Sequence, residues 1–96
     1  MDRQYFVYIL TNRHHTVLYT GVTNNLVLRV FEHREQLTRG FTSRYNVEKL
    51  VFYETFEEPA AAIAREEQIK AGSRAKKIAP INAMNANWRD LYETPR

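Results

Sequence analysis

The sequence predicts an α+β domain in which a three-stranded antiparallel sheet, a hairpin plus a third strand, is flanked by helices. Three observations carry this. Residues 5–22 hold two short apolar runs joined by a polar turn. A third run rich in β-branched and aromatic residues follows at 49–56. Between and after these runs, apolar residues recur at helical spacing behind residues that start helices.

The first run is Tyr5-Phe6-Val7-Tyr8-Ile9-Leu10 and the second is Val17-Leu18-Tyr19-Thr20-Gly21-Val22. Thr11-Asn12-Arg13-His14-His15-Thr16 lies between them, with no residue that belongs in a core. This is the pattern of a β-hairpin with a medium-length loop. Tyr5, Val7 and Ile9 fall on one face of the first strand, Phe6, Tyr8 and Leu10 on the other. Both faces are apolar, so this strand is expected in the middle of its sheet. Each strand carries a tyrosine, Tyr8 and Tyr19, and Gly21 closes the second.

Thr23 and Asn24 supply a helix N-cap, and the spacing predicts a helix over 25–37. Leu26, Val30 and Leu37 share one side, widened by Val27 and Phe31. Arg29 and His33 are four apart and fall at the edge of that stripe. They are either aimed at whatever the helix packs on or serve as a structural pair at a core boundary. Residues 38–46 read as a loop mixing Arg39, Gly40, Thr42, Ser43 and Arg44 with Phe41 and Tyr45. That mixture suits phosphate and nucleotide contacts, and equally a surface loop pinned by its aromatics. In the third strand, Leu50, Phe52, Glu54 and Phe56 alternate with Lys49, Val51, Tyr53 and Thr55. The mixed pattern fits an edge strand.

Glu57-Glu58-Pro59 begins a second helix, with acids in its first turn, which Gly72 stops. Ala62, Ile63 and Ile69 define its apolar side, and Glu66 falls close to the centre of that side. A carboxylate there is costly unless it is paired, protonated or bound to a metal. An arginine partner or a tyrosine hydroxyl would satisfy it equally. Ser73 caps a third helical stretch that continues towards Met84, and Pro80 should break or kink it. Trp88 and Leu91 are expected to fold back onto the domain.

The 96 residues make one domain with a core spanning about 5–91. A hydrophobic fraction of 44% argues against disorder. With no cysteine, a disulfide framework and a thiolate metal site are excluded, which fits a reducing compartment. The polar start and the short apolar run after it suit neither a signal peptide nor a membrane span, so a cytoplasmic protein is expected. The formal charge is +3, a weak lean towards polyanions. Arg34, Arg39 and Arg44 cluster in mid-chain, and Lys70, Arg74, Lys76 and Lys77 later, so one face is expected to be basic.

Phe6-Val7-Tyr8, then Tyr19-Thr20-Gly21, then Arg29 and His33, then Glu66 on a later helix, together resemble the GIY-YIG nuclease domain, most closely its small stand-alone bacterial members. Of the naming letters, only the two tyrosines and the last glycine match. The ordered set of two hairpin tyrosines, Arg-x-x-x-His and a later Glu is the more specific signature. The resemblance implies a metal-dependent endonuclease that hydrolyses DNA phosphodiester bonds, on branched or irregular DNA in repair or recombination. It implies Glu66 as the metal ligand, which suits Mg²⁺ or another divalent cation such as Mn²⁺. It implies Arg29 on the scissile phosphate, and Tyr8, Tyr19 and His33 as the group that orients and deprotonates water. Which of those three is the base stays open. Asn85 is the candidate for a late polar residue that braces the site, ahead of Asn82 and Asn87, and Gly21 is a second supporting residue. Pro80 departs from the apolar residue usual in the family at that point. With no separate DNA-binding domain in this chain, Arg39, Thr42, Arg44, Lys70 and Arg74 are the candidate backbone contacts. A protein partner is a further expected source of specificity. A binding module with the nuclease fold and little or no cleavage is the alternative.

Overall fold

The structure is a computed structural model of the chain and describes residues 3–37 and 44–93. Its elements are strands β1 (Tyr5–Thr11) and β2 (Leu18–Thr23), helix α1 (Leu26–Arg34), strand β3 (Lys49–Phe56), helices α2 (Pro59–Ala71) and α3 (Arg74–Met84), and a 3₁₀ turn at Leu91–Glu93. The sheet is antiparallel with order β2-β1-β3, so β1 is central and β3 an edge, as its composition requires.

Two apolar layers cover β1. On one face Val7 and Ile9 pack with Val51, Phe52, Ala62, Ile69 and Ile81, beneath α2 and α3. On the other, Tyr8 and Leu10 pack with Val30, Val47 and Leu50, beneath α1. A register shift at Ile9/Leu10 corrects the strict alternation expected of β3. Ile9 pairs with Phe52 and Leu10 with Leu50, so Val51 is the extra residue of a bulge. Leu50 and Phe52 therefore enter opposite layers instead of one face.

The hairpin loop is closed by side chains. Asn12 Oδ1 accepts from the main-chain N–H groups of Thr16 and Val17, at 2.8 and 3.1 Å. The Thr11 hydroxyl donates to the Val17 carbonyl at 2.7 Å. His15, read from sequence as a plain loop residue, stacks on Trp88 with ring centroids 4.7 Å apart. Trp88 and Leu91 do fold back, one onto each layer.

The helices depart from expectation in three places. The N-cap of α1 is Asn25, whose Oδ1 accepts from Leu28 N–H at 3.1 Å, while the Thr23 hydroxyl accepts from Asn25 N–H. The helix ends at Arg34, three residues early, because Gln36 turns into the left-handed region at φ 57°. Leu37 is thus off the helix, and Val27, Phe31 and Leu37 are all exposed. In α2 the acids precede the helix, and Ile63 is 46% exposed, so Ala62 and Ile69 alone form the buried stripe. Third, α3 runs through Pro80 unbroken. Ser73 caps it and buried Ile81 anchors it just past the proline, which outweighs one missing backbone donor.

Candidate active site

Tyr8 faces α1 because of strand periodicity and register. Tyr8 pairs with Gly21 and Leu10 with Tyr19 across β1 and β2. Residues two apart share a face, so both tyrosines and the glycine look towards the α1 layer. Tyr8 is fully buried and Tyr19 half-buried. Their ring centroids are 6.3 Å apart. The Tyr8 ring lies over Gly21, where any side chain would collide with it.

Helix α1 brings Arg29 and His33 to these rings on successive turns. His33 is buried; its ring centroid is 6.1 Å from that of Tyr8 and 5.3 Å from that of Tyr19. Its Nε2 is 3.3 Å from the Tyr8 hydroxyl. Burial, then the nearby Arg29 guanidinium, hold the His33 pKa below the ordinary imidazole value, so the ring is neutral at neutral pH. A neutral ring with its lone pair on Nε2 accepts the phenol proton as a hydrogen bond. The Arg29 guanidinium forms an ion pair with Glu32 at 3.1 Å, and it lies close enough to Tyr8 for each to stabilise the charged form of the other. It also lines an open depression with Thr23, Asn24, Asn25 and Glu32, so the guanidinium is reachable from solvent. Glu32 is the residue that the sequence reading overlooked. Its spacing, three after Arg29, was the available signal.

Helix α2 contributes Glu66 from the other side of the hairpin. Ala62 and Ile69, one turn to either side, are buried, and this draws Glu66 inward. Its carboxylate is close enough for its charge to raise the Tyr8 pKa. Burial is the largest cause of that rise, followed by Tyr19; Arg29 opposes it, and the phenol ends at about 12. Glu66 Oε2 is 2.6 Å from Lys70 Nζ, one turn on. Tyr8, Tyr19, Arg29 and His33 are therefore grouped on the α1 side of the β1–β2 hairpin, and Glu66, carried by α2 on the other layer, reaches Tyr8 through its charge. Among the described residues, no three His, Asp or Glu side chains gather in a way that could hold a metal ion by themselves.

The other residues named from sequence have diverse settings. Lys70 is on Glu66. Arg74 donates to the main-chain oxygens of His15 and Thr16, at 2.7 and 3.4 Å, and so ties α3 to the hairpin loop. Exposed Arg44 lies over the Tyr45 ring at 5.7 Å. Arg39 and Thr42 lie outside the described residues. Buried Asn85 caps α3, and its hydrogen bonds go to main chain. Its Nδ2 donates to Val51 O at 3.2 Å and Arg89 O at 2.7 Å, and its Oδ1 accepts from Arg89 N–H at 3.0 Å. These bonds tie the β3 bulge to the C-terminal turn. Asn82 accepts from the Trp88 indole, and Asn87 is exposed.

Known proteins share this arrangement of elements. The chain is 40% identical over 77 residues to a UPF0213 protein of Natronomonas pharaonis, covering 80% of this chain and 89% of the relative. A UPF0213 protein of Clostridium perfringens is 37% identical over 78 residues, 81% and 83% of the two chains. The solution NMR structure of a UPF0213 protein from Bacillus halodurans superposes with a TM-score of 0.59 at 25% identity, covering 91% of this chain and 92% of that one. Residues 4–79 match the family described as the GIY-YIG catalytic domain. The chain belongs to the GIY-YIG family, as a small domain with relatives of similar size.

Proposed function

We propose that this domain is a metal-dependent endonuclease that hydrolyses DNA phosphodiester bonds. The observation that carries the reading is the grouping of two phenols, a guanidinium and a neutral imidazole on one side of a single hairpin, with an inward carboxylate in charge range of Tyr8. Arg29, reachable from solvent beside Tyr8, holds the scissile phosphate and offsets the charge that builds on it. Tyr8 orients the attacking water and passes a proton to the neutral His33 Nε2, with Tyr19 packed against both rings.

Glu66 is the residue that would hold Mg²⁺ or Mn²⁺. The donor fits: Glu66 offers a hard carboxylate oxygen whose side chain is 13% exposed, drawn inward yet still reachable. Mg²⁺ is commonly bound by one or two carboxylates, with waters and substrate phosphate completing its shell. Such an ion supplies positive charge against a phosphate oxygen and makes water more acidic. The substrate we favour is branched or irregular DNA in repair or recombination, in the cytoplasm, because deformable DNA can be selected by shape without base contacts. A protein partner would add specificity.

The second reading is a DNA-binding module with little or no cleavage. The Glu66–Lys70 pair favours it, as does the lack of a three-residue metal cluster among the described residues. Among those residues no helix is long and apolar enough to cross a membrane.

One experiment separates the two. Purified protein and Glu66→Ala are incubated with linear, nicked and branched DNA, with Mg²⁺ or EDTA. Cleavage that needs Mg²⁺ and is lost in Glu66→Ala is the expected result. DNA shifted but uncut under every condition would establish the binding module. DNA neither shifted nor cut would remove both.

A further inference from the structure

We infer that Lys70 is the built-in counter-ion of the carboxylate assigned above to a divalent cation, and that it passes from Glu66 to the DNA backbone when that cation binds. The inference rests on the proposed role of Glu66. Three observations support it.

The first is the contact itself. Lys70 Nζ and Glu66 Oε2 are 2.6 Å apart, at the short end for a charge-assisted pair. The other cationic side chains nearby are engaged elsewhere. Arg29 pairs with Glu32, and Arg65 with Glu54 and Gln68. The second is an asymmetry of burial. The Glu66 side chain is 13% exposed and that of Lys70 53%. The carboxylate is fixed and partly desolvated, whereas the ammonium rides on a flexible stem at the surface. Of the two, Lys70 is the one free to leave. The third is position. Lys70 lies within electrostatic reach of Tyr19, so a displaced ammonium stays at the rim of the site, where a phosphate would arrive.

Two cationic groups cannot both occupy one carboxylate at this range without repelling each other. In the free protein Lys70 is the counter-charge on the partly desolvated Glu66 carboxylate. With a divalent ion on Glu66, Lys70 loses its partner and gains a reason to seek an anion. Its contribution to DNA binding is then conditional on the metal. A constitutive phosphate contact would contribute equally in both states.

The test measures binding rather than cleavage. Mn²⁺ affinity is measured by water-proton relaxation for wild type, Lys70→Met and Glu66→Gln. A circular dichroism melt of each variant confirms its fold. Lys70→Met keeps the aliphatic stem and is expected to bind Mn²⁺ about threefold to tenfold more tightly, because a competing charge is gone. Glu66→Gln is expected to lose the site. In the second arm, affinity for a short DNA duplex is followed against salt, with Ca²⁺ or with EDTA. Each phosphate neutralised contributes a slope of about 0.9 in log affinity against log salt. Lys70→Met should reduce the slope by that amount with Ca²⁺ and leave it unchanged with EDTA.

Equal Mn²⁺ affinity in wild type and Lys70→Met, with binding still lost in Glu66→Gln, overturns the inference and leaves the Glu66 reading standing. So does a slope reduced equally, or not at all, in both conditions. Mn²⁺ binding that is absent from the wild type or indifferent to Glu66→Gln removes the metal reading and this inference together. Failure to bind the duplex in either condition removes the proposed function along with it.

Discussion

Gly21 and Tyr8 oppose each other across β2 and β1, and the phenol ring lies directly over the glycine. A β-carbon at position 21 would meet Tyr8 Cζ at 2.5 Å and Cε1 at 2.9 Å. The ring is fully buried against Val30 and Leu10, with His33 and Tyr19 beside it. Gly21→Ala is therefore expected to destabilise the domain by about 1–3 kcal/mol, the usual cost of overpacking. It should also lower cleavage at temperatures where the protein remains folded, since the displaced ring carries the phenol away from His33. Urea unfolding and cleavage assays on the same sample check this. A variant as stable and as active as wild type would show that the close approach of ring and backbone is incidental.

The Tyr8–His33 pair makes a definite statement about pH. Tyr8, held at about 12 in the absence of bound cations, is not ionised in advance near neutrality. The imidazole 3.3 Å away has a lowered pKa and is neutral there, so it is ready to take the proton. Under this arrangement the cleavage rate is flat across the neutral range. It falls only when pH drops far enough to protonate His33, below the ordinary imidazole value of 6.5. A rate that climbs tenfold per pH unit from 7 to 9 would instead make the reactive base a phenolate or a metal-bound hydroxide. Tyr8→Phe is expected to lower the rate by about 10²–10⁴, the range for losing a positioned acid–base group, while circular dichroism stays native.

Arg29 and Glu32 allow positioning to be separated from charge. The pair is 3.1 Å apart and part-exposed, which makes it worth at most about 1 kcal/mol to stability. Arg29→Ala should therefore melt close to wild type and yet abolish measurable cutting. An unfolded Arg29→Ala would make the guanidinium structural. Glu32→Gln keeps a hydrogen-bond acceptor but removes the charge that offsets Arg29. Its expected signature is a tighter apparent KM for DNA with a lower kcat, because the guanidinium binds phosphate well but is less firmly oriented. Equal losses in kcat and kcat/KM would place Glu32 nearer the transition state than this geometry does.

The sheet was legible because β1 is apolar on both faces, and only a central strand is covered twice. Glu66 was legible because a charge between Ala62 and Ile69 breaks the helical stripe. The misreadings share a cause, which is that tertiary geometry overrides periodicity. Val51 bulges from β3, and this sends Leu50 and Phe52 to opposite layers, which alternation cannot anticipate. In α1, Val30 and His33 face inward while Val27 and Phe31 do not, since the helix is rotated to present His33 to the two tyrosines. The partners of the site charges, Glu32 and Lys70, obey helical spacing and were readable in principle. Nothing in sequence said which of the neighbouring acids or bases would be chosen.

The two buried or half-buried histidines also predict how the fold fails in acid. His33 is lowered by burial and then by Arg29; the groups around it are Tyr8, Tyr19 and Arg29, with Glu32 alone pulling the other way. His15 is lowered by burial, then by Lys49 and His14; it stacks on Trp88, and its Nε2 is 2.8 Å from Lys49 Nζ. For each, the folded pKa is below the unfolded one. Above about pH 6.5 both states hold these rings neutral, and the full stability is present. As pH falls below 6.5, the unfolded chain takes up protons that the folded chain resists, so stability declines towards the lower folded values. Urea midpoints should therefore drop between pH 7 and pH 5, a range in which ordinary carboxylates barely titrate. His15→Gln removes one contribution and should flatten part of that slope without changing the cleavage profile, because His15 is in the hairpin loop and not among the site rings. A midpoint that is constant over this range would show that neither ring resists protonation in the folded state, and a slope unaffected by His15→Gln would show that His15 does not.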